Sequence, residues 1–238
     1  MKRVIKILYL YPNEMNIYGD IGNVLALRRR LEWRGFETKV IYHHPGKSFN
    51  YDADIIVGGG GQDSGQLKVC KDLGRIGDKL HKLADNGVPM LMVCGTYQLF
   101  GSKFITDKGD ELKGISIFNA ETRGTPNRII GNIVIKTKFG DVIGYENHSG
   151  QTFLGNEQKS FGRVLKGAGN NGHDGDEGAV YKNVYGTYLH GSLLPKNPLF
   201  TDHLLTVAVV NRYGNTNLKS LNEDITEKCR RIAASRPR

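Results

Sequence analysis

Met90-Leu-Met-Val93 is a four-residue apolar run set between the Gly87-Val-Pro89 break and Cys94-Gly95. A run with no polar alternation suits a strand buried on both faces of a parallel sheet. Cys94-Gly95 turns the chain, and Thr96-Tyr-Gln-Leu-Phe-Gly101 reads as a helix start. A cysteine held between such a strand and a helix has its sulfur beside backbone N–H groups and the positive end of a helix dipole. Both favour the thiolate. Burial as a structural residue is the commoner fate of an intracellular cysteine, and this stretch alone leaves both readings open.

The flanking sequence repeats the strand–helix alternation that a parallel sheet needs. Lys6 to Leu10 reads as a strand, Tyr11 to Asp20 as a polar, turn-rich loop, and Ile21 to Arg34 as a helix ended by Gly35. Glu37 to Tyr42 and Asp54 to Val57 are further strands, and Gln66 to Asn86 a second helix. The Asp54 strand runs straight into Gly58-Gly-Gly-Gly-Gln-Asp63. Two consecutive strands therefore end in glycine-rich turns at one sheet edge, where open α/β folds bind ligands.

Beyond Phe100 the pattern changes. Ile115 to Phe118, Asn132 to Lys136, Asp141 to Tyr145, Gly162 to Leu165 and Gly178 to Tyr181 are short β-like runs, with Phe139-Gly140-Asp141 as a hairpin turn. Residues 166–175 are too rich in Gly and Asn for regular structure. Val184 to Leu189 is another strand, ending at His190-Gly191, and helices are expected over 198–213 and about 218–234. The expected fold class is α/β, an open, mostly parallel sheet flanked by helices with an antiparallel extension. It is read as one domain over 1–238, with a basic C-terminal helix or tail from about 218.

With 238 residues, 39% hydrophobic and 24% charged, the chain can bury a substantial core. Three cysteines without a Cys-x-x-Cys pair argue for a reducing compartment and against a disulfide framework or zinc ribbon; no metal is expected. No secretory or membrane-spanning segment is read, so a cytoplasmic location is expected. The formal charge of +9 clusters at Arg28-Arg-Arg30 and at Lys228, Arg230, Arg231, Arg236 and Arg238. These charges are not interleaved with aromatics, so they read as a solvated surface, not a nucleic-acid site.

Cys94 and His190 each follow a strand and precede a glycine. A thiol is a modest nucleophile at neutral pH, and an imidazole can take its proton and return it to a leaving amine. The run Gly58 to Gly61 can supply backbone N–H groups to a developing oxyanion. It is not a Walker A loop, since no Lys-Ser/Thr follows.

In their order along the chain, five segments resemble the class I glutamine amidotransferases, in the cobyric-acid-synthase-like branch. They are Gly58–Asp63, Val93-Cys-Gly-Thr-Tyr-Gln98, Thr125-Pro-Asn-Arg128, Gly144-Tyr-Glu-Asn-His-Ser-Gly-Gln-Thr152 and Gly186-Thr-Tyr-Leu-His-Gly191, preceded by Asn16-Ile-Tyr-Gly-Asp-Ile-Gly-Asn23. The resemblance implies that Cys94 attacks the side-chain amide of L-glutamine, with His190 as general base and acid. It implies an oxyanion hole from Gly60, Gly61 and the N–H of Gly95, Arg128 on the substrate α-carboxylate, and Gln98 as a further substrate contact. The usual orienting Glu two residues after the base is replaced by Ser192. Glu146 is the internal candidate for that role or else a structural acid, and His148 is a competing base. The small size favours a stand-alone glutaminase subunit. Its implied partner is a MurT-like Mur-ligase subunit that uses ATP and Mg to amidate lipid II, with no cofactor in this chain. The alternatives are a glutaminase for another synthetase of the branch, or a non-catalytic basic binding module.

Overall fold

The computed structural model describes residues 3–214 and 217–236. The chain opens with β1 (Val4–Leu10), α1 (Ile21–Glu32), β2 (Glu37–His43), β3 (Ile55–Gly58), α2 (Asp63–Asp85), β4 (Met90–Val93) and α3 (Gly95–Phe100). It then leaves the sheet for β5 (Lys103–Ile105), β6 (Glu111–Lys113), β7 (Ala120–Thr137), β8 (Gly140–Leu154), β9 (Gly162–Lys166) and β10 (Asp176–Glu177). It returns as β11 (Ala179–Tyr181) and β12 (Val184–Thr187). A one-turn 3-10 helix (Leu194–Lys196), α4 (Pro198–Tyr213) and α5 (Asp224–Ser235) follow.

The first sheet runs β11-β12-β4-β3-β1-β2, parallel throughout except for β11 at its edge. Every residue of β3, β4 and β12 is buried, as unbroken apolar strands in a covered parallel sheet must be. On α1, Val24, Leu27 and Leu31 recur at helical spacing and bury one face, which packs against α4. Gly35, at φ +81°, turns the chain out of that helix where a Cβ would be strained.

The second sheet is built on the long hairpin of β7 and β8, with Gly140 at φ +83° in its tight turn. β7 also carries β5 in parallel near its start and β9 antiparallel near its end. The expected α/β class, with a parallel sheet and an antiparallel extension, is the architecture observed.

Three expectations need correction. Ile115 to Phe118 is not a strand. The N–H groups of Ile115, Ser116 and Phe118 donate to the carbonyls of Leu99, Gly101 and Phe100, so the run satisfies the open C-terminal end of α3. β12 stops at Thr187, because His190 pairs instead with Tyr145 of β8. The tail helix starts at Asp224, not near Leu218; Arg238 of the expected basic cluster lies outside the described residues.

The tail is tied back by charge. Arg30 grips Asp202 of α4 with two hydrogen bonds, 2.8 and 2.7 Å, and reaches Glu223 just before α5 at 2.5 Å. Arg34 adds a bond to Asp202 at 2.6 Å. Among the described residues no helix is long and apolar enough to cross a membrane.

Candidate active site

Cys94 caps the C-terminal end of β4 at φ +50° and ψ −105°, a conformation costing a non-glycine residue on the order of 1–3 kcal/mol. The surrounding bonds impose it. Its N–H is fixed to Thr187 O of the neighbouring β12 at 2.8 Å, and its carbonyl accepts from Gln98 N–H at 2.9 Å as the first bond of α3. The Thr96 hydroxyl closes the turn on Val93. The thiol is thereby held out at the junction of strand and helix.

β3 delivers the glycine run to the same edge. A Cβ on Gly60 would lie 2.9 Å from His190 Cε1 and 3.2 Å from Cys94 Cβ, so the bare Gly60 backbone is the surface on which these two side chains meet. A Cβ on Gly95 would lie 3.1 Å from Gly61 N, which places the Gly61 amide nitrogen against Gly95. Gly60 was expected as an oxyanion donor as well. Its N–H instead donates to Asp20 Oδ2 at 2.8 Å, which leaves Gly61 and Gly95 of the expected donors.

His190 arrives on the chain beyond β12. Its backbone pairs with Tyr145, N–H to O at 2.8 Å, so the position is fixed from the antiparallel sheet. The imidazole is buried, and neither ring nitrogen has a hydrogen-bond partner among the described residues. Burial holds its pKa down at about 3, with His148, Arg128 and Lys196 adding repulsion. Burial also pushes the Cys94 thiol up to about 12, reinforced by the nearby Asp20 carboxylate. The sequence favoured a thiolate here. In the free chain desolvation outweighs the lowering by Arg128 and the Gly95 N–H, and the pair rests as neutral thiol and neutral imidazole.

Glu146 does not meet the base. Its carboxylate accepts the N–H groups of Ala168 and Gly169, at 2.9 and 3.0 Å, and so orders the glycine-rich segment after β9. Ser192, in the place of the usual Glu, donates to Gly19 O at 2.9 Å, and its side chain abuts Gly22 at the start of α1. His148 is stacked on Tyr188 with ring centroids 3.7 Å apart; its Nδ1 is engaged by Gly150 O at 2.7 Å, and burial lowers its pKa to about 4.

A cleft of about 510 Å³ opens in front of Cys94. Gly61, Gln66, Gln98, Arg128, Asn147, His148 and Tyr18 contribute to its walls; His190 does not. Arg128 reaches it because the β7–β8 pairing slips between Gly124 and Ile129, where Pro126 cannot donate to the ladder. Its guanidinium bonds Asn147 Oδ1 through Nε at 2.5 Å and Tyr18 OH through Nη2 at 2.7 Å. Gln98 accepts from Gln66 at 2.7 Å and donates to Tyr188 OH at 3.1 Å, which leaves one amide hydrogen and one lone pair for anything entering the cleft.

Sequence reasoning missed Tyr18, Asp20 and Asn147. All three lie inside segments quoted for the resemblance, but their partners are remote in the chain, and no local spacing signals such contacts. Among the described residues, no group of three or more His, Cys, Asp or Glu could hold a metal ion.

Residues 6–198 match the model of the CobB/CobQ-like glutamine amidotransferase domain. The chain is 41% identical over 204 residues to the lipid II isoglutaminyl synthase (glutamine-hydrolyzing) subunit GatD of Staphylococcus aureus strain N315, covering 85% of this chain and 83% of that one. It is 36% identical over 226 residues to the corresponding GatD of Streptococcus pneumoniae strain R6, covering 93% and 86%. Its fold is similar to that of PurLQS from Thermotoga maritima, with a TM-score of 0.58 at 15% identity over 89% of this chain and 99% of that one.

Proposed function

The chain belongs to the CobB/CobQ-like glutamine amidotransferase family and is a glutamine-hydrolysing enzyme, and from that premise we propose that it is the glutaminase subunit of a lipid II isoglutaminyl synthase with Cys94 as its nucleophile. The observation that carries the site assignment is that Cys94 and Arg128 line one cleft. A guanidinium fork suits the α-carboxylate of glutamine, and Cys94 faces the space where the side-chain amide would lie.

Cys94 Sγ attacks the carboxamide carbon while His190 takes the thiol proton. The developing oxyanion is met by the Gly61 and Gly95 N–H groups. The C–N bond breaks as His190 returns the proton to the leaving nitrogen, releasing ammonia and a glutamyl thioester. Water then attacks the thioester, His190 again relays the proton, and glutamate leaves. Starting from a neutral pair, proton transfer and attack are coupled. Among the described residues nothing hydrogen-bonds either nitrogen of His190, and a carboxylate from the partner subunit would raise its basicity in the assembled enzyme.

The partner is a MurT-like Mur-ligase subunit that holds ATP and Mg and receives the ammonia. The acceptor is the D-glutamate α-carboxyl of the lipid II stem peptide, which becomes D-isoglutamine, and the reaction takes place in the cytoplasm. In the reconstituted complex, Cys94→Ala should lose glutamine-dependent amidation entirely while amidation from added ammonium persists. Glutamine hydrolysis by that variant would sink the assignment.

A further inference from the structure

The loop between β1 and α1 runs along the cleft, and four consecutive residues of it touch the other parts of the site. Ile17 N–H donates to Gly60 O at 3.1 Å, and Asp20 Oδ2 accepts the Gly60 N–H at 2.8 Å, so the segment brackets the glycine run from both sides. The Gly19 carbonyl is held by Ser192 Oγ, two residues beyond the base. Between these anchors the Tyr18 ring packs on the His190 imidazole, with centroids 4.4 Å apart at 55°. The Tyr18 hydroxyl accepts from Arg128 Nη2.

We infer that residues 17–20 form a strap linking substrate capture to the base, with Tyr18 as its positioning residue: the ring fixes the plane of His190, and the hydroxyl aims the Arg128 fork into the cleft. The inference rests on the assignment of His190 as base and Arg128 as the carboxylate site.

An imidazole with no bond to either nitrogen is oriented by packing alone. Among the described residues, Tyr18 is the aromatic ring against it, with the Gly60 backbone at the Cε1 edge. The phenol also covers a base that the cleft wall does not otherwise expose. Arg128 is exposed at the cleft rim, and its direction is set by Asn147 and Tyr18. The bonds at Nε and Nη2 leave the Nη1 hydrogens to an arriving carboxylate, so the phenol orients the fork that the carboxylate meets, and binding at the fork depends on the position of the strap. Ser192 then acquires a role: where an acid would hold the imidazole by a hydrogen bond, it pins the backbone of the residue next to Tyr18.

The test is glutamine hydrolysis by the full chain with its co-purified partner. Wild type, Tyr18→Phe, Tyr18→Ala and Cys94→Ala are compared for kcat, KM and the pH profile of kcat/KM. Tyr18→Phe keeps the ring and loses the bond to Arg128. KM should rise about three- to tenfold, the span covered by the net worth of one hydrogen bond, with kcat within about twofold. Tyr18→Ala uncovers the imidazole as well. Its kcat should fall on the order of tenfold or more. The acid limb should move to higher pH, because water at the ring relieves the desolvation that holds His190 neutral. The other groups facing His190, namely His148 on β8, Arg128 on β7, Lys196 in the 3-10 turn, Cys94 and Asp20, are unchanged in both variants. Wild-type activity with Tyr18→Ala showing unchanged kcat and an unmoved acid limb overturns the role of Tyr18 alone, as does an unchanged KM in the Phe variant. Wild type without Cys94-dependent hydrolysis overturns the underlying assignment with it. Thermal midpoints identify a variant that merely unfolds, and the near-isosteric Phe change keeps the fork arm readable in that event.

Discussion

Asp20 is fully buried, with one carboxylate oxygen on the Gly60 N–H and the other without a partner. Burial raises its pKa from the ordinary 3.8 to about 7, against a smaller lowering by the Gly60 bond. The folded chain therefore keeps a proton that the unfolded chain has lost. Its contribution to stability is full below pH 3.8 and is lost as pH rises through about 7. Asp20→Asn retains an oxygen for Gly60 and removes that loss. The melting temperature of the variant relative to wild type should climb between pH 5 and pH 8, and a pH-independent difference would contradict the burial argument. Glu177, whose pKa burial raises to about 8, acts in the same direction but is common to both proteins and cancels in the comparison. At this scale the sequence was partly readable. Cys94 and His190 each follow a strand and precede a glycine, while Arg128 was singled out through the family resemblance; spacing alone could not place the three side by side, because Arg128 comes from β7 of the second sheet. The neutral thiol, the diversion of Gly60 and the Tyr18 contact were not readable, because each depends on burial or on partners tens of residues away.

Among elements, β12 and β4 form the critical pair. They run parallel, with Thr187 beside Val93 and the Cys94 N–H on Thr187 O, so the spacing between the strand that ends at Cys94 and the strand that leads to His190 is a sheet spacing. Behind this pair, Gly186 of β12 leaves room for the Tyr97 ring of α3 and the Phe118 ring. Gly186→Ala would drive a methyl group into both rings, and overpacking of that kind costs roughly 1–3 kcal/mol. Urea unfolding should show that loss, with glutaminase activity falling further than stability alone accounts for, since Tyr97 belongs to the helix that Cys94 begins. The buried strands and amphipathic helices of the first sheet were legible because periodicity and burial agree there. The second sheet was read less well. β5 and β6 have three residues each, too few for a pattern, and the apolar run at Ile115–Phe118 proved to be a cap for α3.

Across the whole molecule, the N-terminal helix, α4 and the tail are joined through Arg30, Arg34, Asp202 and Glu223. The two arginine side chains are only 8% and 2% exposed, while the Asp202 carboxylate retains 31% exposure. Asp202→Ala removes the carboxylate that Arg34 is paired with among the described residues and leaves Arg30 with Glu223 alone. Removing one partner of a fully buried pair costs 3–5 kcal/mol, and the partly wet carboxylate reduces this to about 2–3 kcal/mol. Chemical denaturation should report that loss, and an unaltered midpoint would mean that the network contributes nothing net. The fold also divides the site between two kinds of backbone. The Cys94 amide is bonded inside the parallel sheet, between neighbours that are buried along their whole length. The Ile17 amide is bonded from a surface loop. In deuterated water the first should exchange only through global unfolding and the second through local opening. Isotope labelling followed by mass spectrometry would then separate a rigid reacting centre from a breathing rim within one 510 Å³ cleft, and a bound glutamate analogue should slow exchange at the rim while leaving the already protected centre unchanged.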